Sequence, residues 1–135
     1  MRRRPPAPRG NSNKLLARCK RTQLSADRPR GPGVTAGRRH MNPIGAVHGG
    51  LVCALLDSAL GCAVQTTLPK GVGYTSIEIK VNYLRSIRAG SGPLTCIGVV
   101  SKAGSRVAFA DATVTDASGK LVATATGSLL VFPLN

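Results

Sequence analysis

Residues 47–68, VHGGLVCALLDSALGCAVQTTL, carry one charged side chain in 22 positions. A helix that is apolar on nearly every side cannot lie on a protein surface, so the rest of the chain has to wrap it. Gly49-Gly50 permits a tight entry, and Pro69, Gly71 and Gly73 close the segment. No apolar run reaches the ~18 residues of a membrane span, which excludes a transmembrane helix.

Four runs with strand character follow. Residues 74–84 (YTSIEIKVNYL) alternate, with Thr75, Ile77, Ile79, Val81 and Tyr83 on one face and Ser76, Glu78, Lys80 and Asn82 on the other. Residues 94–101, 106–115 and 121–132 are rich in Val, Thr and Ala, and Asp116-Ala117-Ser118-Gly119 reads as a hairpin turn. One buried helix followed by an antiparallel meander predicts an α+β fold, with the sheet wrapped around the helix.

Charge divides the 135 residues in two. The formal net charge of +14 invites a nucleic-acid reading, but residues 1–40 hold 12 Lys+Arg against the single acid Asp27. Residues 41–135 hold 7 against Asp57, Glu78, Asp111 and Asp116, a balance of only +3. Val, Ile and Leu number 4 in the first part and 27 in the second. So basic and apolar-poor a segment cannot bury enough surface to offset its chain entropy. Residues 1–40 are therefore expected to be a disordered Pro/Gly/Arg-rich extension, and 41–135 the folded domain. The arginines are not interleaved with aromatics, so they offer no stacking platform for bases. Arg2-Arg3-Arg4 lacks the apolar stretch of a secretory signal, and Pro and Gly spoil the helix of a transit peptide. Cys19, Cys53, Cys62 and Cys96 show no C-x-x-C spacing, which argues against a zinc ribbon or disulfide scaffold and for a reducing cytoplasm.

Asp57 is the residue that the buried helix does not need. A carboxylate there costs several kcal/mol to bury unpaired. It either pairs with Arg85 or Arg106, faces a solvent groove, or sits in a cleft as general base or nucleophile. At the helix start, the Gly49 and Gly50 N–H groups are first-turn donors at the positive end of the dipole, suited to a carbonyl oxygen gaining negative charge. Eight residues separate Gly49 from Asp57, about 12 Å along a helix. The two cannot act on one carbonyl from a single helix; two antiparallel copies would bring them together across a two-fold axis.

The ordered set Asn42-Pro43-x-Gly45-x-Val47-His48-Gly49-Gly50, then Asp57, Ala59, Tyr74-Thr75-Ser76 and Val81-Asn82-Tyr83-Leu84-Arg85, resembles the hotdog-fold acyl-CoA thioesterases of the phenylacetate-degradation (PaaI-like) type. Residues 119–127 (GKLVATATG) are similar to the last hairpin of that family. The resemblance implies a homodimer or homotetramer that hydrolyses an acyl-CoA thioester to free acid and CoA. No metal or redox cofactor is implied, since CoA belongs to the substrate. Asp57 matches the catalytic carboxylate and Gly49 the N–H that polarises the carbonyl. Asn42 and His48 support that pocket, and Ser76 stands where a hydroxyl positions water. Arg85, Arg88, Lys102 and Arg106 become candidates for the CoA phosphates. Ala54, Ser58, Ala59 and Gly61 leave space for an aryl or medium-length acyl group.

The resemblance starts at His40-Met41-Asn42, whereas members of the family open with a short helix and a first strand. Residues 1–40 show no period-2 apolar run. The expectation is a sheet short of that helix and strand, with 1–40 either a genuine extension or the mark of a shifted start. Two other readings stay open: a hotdog acyl-CoA hydratase or dehydratase, and a non-catalytic nucleic-acid-binding protein acting through 1–40.

Overall fold

The structure, a computed structural model, describes residues 21–25 (main chain only) and 36–135. A single 3-10 turn, Arg38–His40, leads into α1, Gly49–Gln65. The strands are β1 (Arg21–Ser25), β2 (Val72–Tyr83), β3 (Thr95–Lys102), β4 (Val107–Thr115) and β5 (Leu121–Pro133). They form one antiparallel sheet in the order β1-β3-β4-β5-β2. The single long helix packed on this sheet is the expected hotdog arrangement.

β1 corrects the expectation of a missing first strand. It pairs antiparallel with β3, from Arg21 opposite Val99 to Ser25 opposite Thr95. An edge strand is held by main-chain hydrogen bonds and tolerates polar, charged sequence, so Arg-Thr-Gln-Leu-Ser needs no apolar alternation to join. The disorder expected of residues 1–20 and 26–35 lies outside the described residues.

α1 buries Val52, Leu56, Ala59, Leu60, Ala63 and Val64 against the sheet. The opposing floor is small: Gly98 on β3, Ala108, Ala110 and Ala112 on β4, Ala125 and Gly127 on β5. A Cβ on Gly98 would overlap the Ala59 carbonyl, and one on Gly127 would lie 2.8 Å from Leu60. Large side chains come from the helix and small ones from the sheet, which lets the two layers approach closely. Between β4 and β5 the expected turn is present: Gly119 has φ +80°, and Asp116 Oδ1 accepts from the Ser118 and Lys120 N–H groups at 2.9 and 3.0 Å.

β2 departs from the alternation read in its sequence. The register steps from Ser76 opposite Leu129 to Glu78 opposite Ser128, leaving Ile77 as an unpaired bulge residue, 56% exposed. Tyr74 and Ser76 face the helix before the bulge, and Ile79, Val81 and Tyr83 face it afterwards. The simple period would have put Ser76 on the outer face.

Replacing Gly98 by Ala should cost about 1–3 kcal/mol, because the new methyl meets backbone rather than a movable side chain. A lower urea midpoint at unchanged m would register it. Burial pushes the Cys96 thiol up to about 12. In the folded protein at about pH 8, a thiol reagent should therefore modify half-buried Cys53 and Cys62 and spare Cys96, as read by peptide mass.

Candidate active site

The chain enters α1 through a hydrogen-bonded loop. The Asn42 N–H donates to the Ala46 carbonyl at 2.7 Å, and Asn42 Oδ1 accepts the Ala46 N–H at 2.9 Å. Gly45 makes the turn possible with φ +80°. The His48 N–H donates to the His40 carbonyl at 2.7 Å, and His48 itself is the N-cap. Its Nδ1 accepts the Gly50 N–H at 2.9 Å, which places the ring proton on Nε2. Gly50 is thus capped and is not the open donor expected of it. The Gly49 N–H has no acceptor among the described residues.

Tyr83, at the end of β2, covers this helix head. Its hydroxyl donates to the Gly49 carbonyl at 2.9 Å, and a Cβ on Gly49 would stand 3.1–3.3 Å from the ring. Beside it opens a cleft of about 330 Å³ whose walls include Asn42, Ile44, Val47, Gly49, Val52 and Tyr83. Arg85 stands in the same lining, with its N–H donating to the Val122 carbonyl at 3.2 Å. Arg88 is nearby and exposed, bridged through its backbone to Ala46.

Two turns along α1 lies Asp57, half-buried. Ser76 Oγ donates to Asp57 Oδ1 at 2.7 Å. Among the described residues this hydroxyl is the partner of Asp57, which pairs with neither Arg85 nor Arg106. One turn farther, Tyr74 sits on Gly61 so closely that a Cβ there would overlap the phenol oxygen. Burial first, then the neighbouring Cys62 and Asp57, raise the Tyr74 hydroxyl above the ordinary tyrosine value, keeping it protonated.

The predicted residues therefore fall into separate groups. Asn42, His48, Gly49 and Arg85 gather at the head of α1, and Asp57 with Ser76 forms a second group eight residues on. Lys102 and Arg106 join neither. They flank the loop of Ala103, Gly104 and Ser105, which lines a cleft of about 450 Å³ with Thr67, Leu68 and Pro69 beyond the far end of α1. The space expected from small helix residues is also partly taken: Ala59 is fully buried under the sheet and Gly61 is filled by Tyr74, leaving Ala54 and Ser58 on the exposed side. Among the described residues no three His, Cys, Asp or Glu side chains gather to hold a metal.

Tyr83 and Tyr74 were given no site role from the sequence, and Gly61 was expected to leave space rather than to seat a ring. A glycine inside a helix costs roughly 1 kcal/mol against alanine, and that penalty at Gly61 was the available sign of a close neighbour.

The chain is similar to known proteins in sequence and in fold. The chain is 38% identical over 96 residues to a provisionally named esterase of Halobacterium salinarum, a match covering 65% of this chain and 62% of that one. It is 30% identical over 86 residues to mouse acyl-coenzyme A thioesterase 13, covering 63% of this chain and 60% of the relative. The matches thus span less than two thirds of these relatives' length. Among solved structures, a Bacillus halodurans protein crystallised with CoA superposes with a TM-score of 0.67 at 29% identity, covering 72% of this chain and 63% of that one. Residues 44–123, from the turn before α1 to β5, match the family model of the thioesterase superfamily, and the chain belongs to that superfamily.

Proposed function

We propose that the chain hydrolyses an acyl-CoA thioester to a free acid and CoA, at a site shared by two copies. The observation that carries the reading is the pair of half-sites on one helix: an open Gly49 N–H at its head, and Asp57 held by Ser76 eight residues later. About 12 Å of helix separates them, so each half is completed only by the other half of a second, antiparallel copy. The outer edge of β2, which pairs with no further strand among the described residues, gives that copy a place to pair. The name of the mouse relative and the CoA in the Bacillus structure support the substrate class.

In the shared site the Gly49 N–H polarises the thioester carbonyl, and the positive end of α1 adds to the attraction for developing negative charge. Asp57 of the second copy, oriented by Ser76, takes a proton from water as the water oxygen attacks the carbonyl carbon. Collapse of the tetrahedral intermediate breaks the carbon–sulfur bond, and the CoA thiolate leaves and takes up a proton. Attack by the Asp57 carboxylate itself, through an anhydride that water then opens, fits the same geometry. Asn42 and His48 shape the loop and cap that present Gly49. Arg85 and Arg88, at the head of α1, are better placed than Lys102 and Arg106 to meet the CoA phosphates. No metal or redox cofactor enters the reaction. Cys53, Cys62 and Cys96, unpaired among the described residues, suit the reducing cytoplasm in which we place the chain.

Thiol release across a panel of acyl-CoAs tests the reaction. Asp57→Asn should lower kcat by about 10²–10⁴-fold, the range for a lost general base; turnover retained in this variant would falsify its role. Ser76→Ala should cost less, about tenfold, by loosening the carboxylate. The sharing of the site has its own test. Gly49→Pro deletes the open N–H at a helix position that accepts proline, so mixing it with Asp57→Asn should restore turnover that neither variant shows alone. Failure of two variants that assemble normally to complement each other would place both halves in a single chain.

A further inference from the structure

Tyr83 and His48 hold one peptide unit from its two ends. The Tyr83 hydroxyl donates to the Gly49 carbonyl at 2.9 Å. The N–H at the other end of that same unit, on Gly50, donates to His48 Nδ1 at 2.9 Å. Rotating this plane would break both bonds. Without the clamp, two adjacent glycines would make the head of α1 its loosest backbone, since glycine has the widest conformational freedom of any residue. The unit just before it ends in the Gly49 N–H, the open donor, and its own carbonyl, on His48, accepts the Leu51 N–H at 3.0 Å. The direction of the Gly49 N–H is therefore set by the Leu51 bond to its own unit and by the clamped unit that follows.

We propose that Tyr83 is a positioning residue for thioester hydrolysis, fixing the aim of the Gly49 N–H through its hydrogen bond to the Gly49 carbonyl. This rests on the thioesterase reading above. A donor of this kind accelerates the reaction when it already points at the place where charge will develop and needs no reorganisation to do so. The ring lies against Gly49 and also walls the 330 Å³ cleft, so the residue that steadies the donor stands beside a cleft that Gly49 lines too. Burial against the helix, and then Cys53, raise the Tyr83 hydroxyl above the ordinary tyrosine value, so it stays a donor through the neutral range. Its position depends on the Ile77 bulge, which aligns the second half of β2 so that Tyr83 and Ser76 both reach the helix.

Tyr83→Phe keeps the ring and removes the hydroxyl. The expected result is a kcat about tenfold lower, the worth of one hydrogen bond, with KM within about twofold of wild type. Hydrogen exchange of the Gly50 amide should quicken by a similar factor, while the Ala63 and Val64 amides at the far end of α1 stay as protected as before. Faster exchange with unchanged kcat overturns the positioning role, as does a rise in KM alone. Unchanged exchange at Gly50 overturns the clamp whatever the rates do. A wild-type protein that releases no thiol from any acyl-CoA overturns the thioesterase reading and the catalytic role with it, and the exchange measurement still decides the clamp by itself.

Discussion

The closeness of α1 to the sheet is the constraint on which the rest depends. Gly98 has no room for a methyl group under Ala59, and Gly127 has none under Leu60. Alanines fill the central strand between them. With so shallow a floor, bulk has to come from the helix, and Leu56 and Leu60 supply it, at 0% and 1% exposure. The same geometry explains why aromatics make up only 3% of the chain. Tyr74 and Tyr83 lie on the edge strand β2, where each finds a helix glycine to rest on, and Phe109 and Phe132 are 42% and 37% exposed. Both polar contacts of the candidate site, Asp57 with Ser76 and Gly49 with Tyr83, bridge α1 and β2. Lifting the helix would pull both apart together.

Much of this was legible in the sequence, because the strongest signal was one of burial. A 22-residue segment with one charge predicts an enclosed helix, and α1 occupies 17 of those positions. The four following strands fall where their apolar content puts them. What the pattern concealed was local backbone geometry. Ile77 continues a run of β-branched residues on alternate positions, yet it is the bulge, and the helix-facing set changes from Tyr74 and Ser76 to Ile79, Val81 and Tyr83 across it. Composition carries no mark of such a register step. β1 was hidden because main-chain pairing leaves little trace in side-chain polarity. The two glycines at the helix head looked equivalent; only the placement of the His48 ring separates the capped Gly50 from the open Gly49.

The site also takes its electrostatic character from where charge is absent. α1 has no acidic side chain in its first turn and no basic one in its last. Its positive end is therefore left uncompensated by the chain's own carboxylates and remains available to a developing oxyanion. Most of the +14 net charge belongs to residues 1–40, and residues 41–135 carry only +3. The four cations considered for a CoA phosphate divide between the two ends of the helix. Arg85 and Arg88 stand near the open amide, Lys102 and Arg106 at the opposite end. A polyanionic ligand reaching the head of α1 would meet the first pair and pass the second by.

The extra residue in β2 has a consequence for how such a chain can change over time. Ile77 is the one position in that strand that faces no partner residue, and the side chains before and after it keep their inward and outward assignments when it is ignored. Loss of this residue would turn an irregular strand into a regular one and leave Ser76 and Tyr83 still facing the helix. Loss of Thr75 would instead turn Ser76 away from the helix and trade a functional side chain for one meant for solvent. The strand thus consists of two independently registered pieces joined at a seam. A one-residue deletion at the seam would leave both pieces in register with β5.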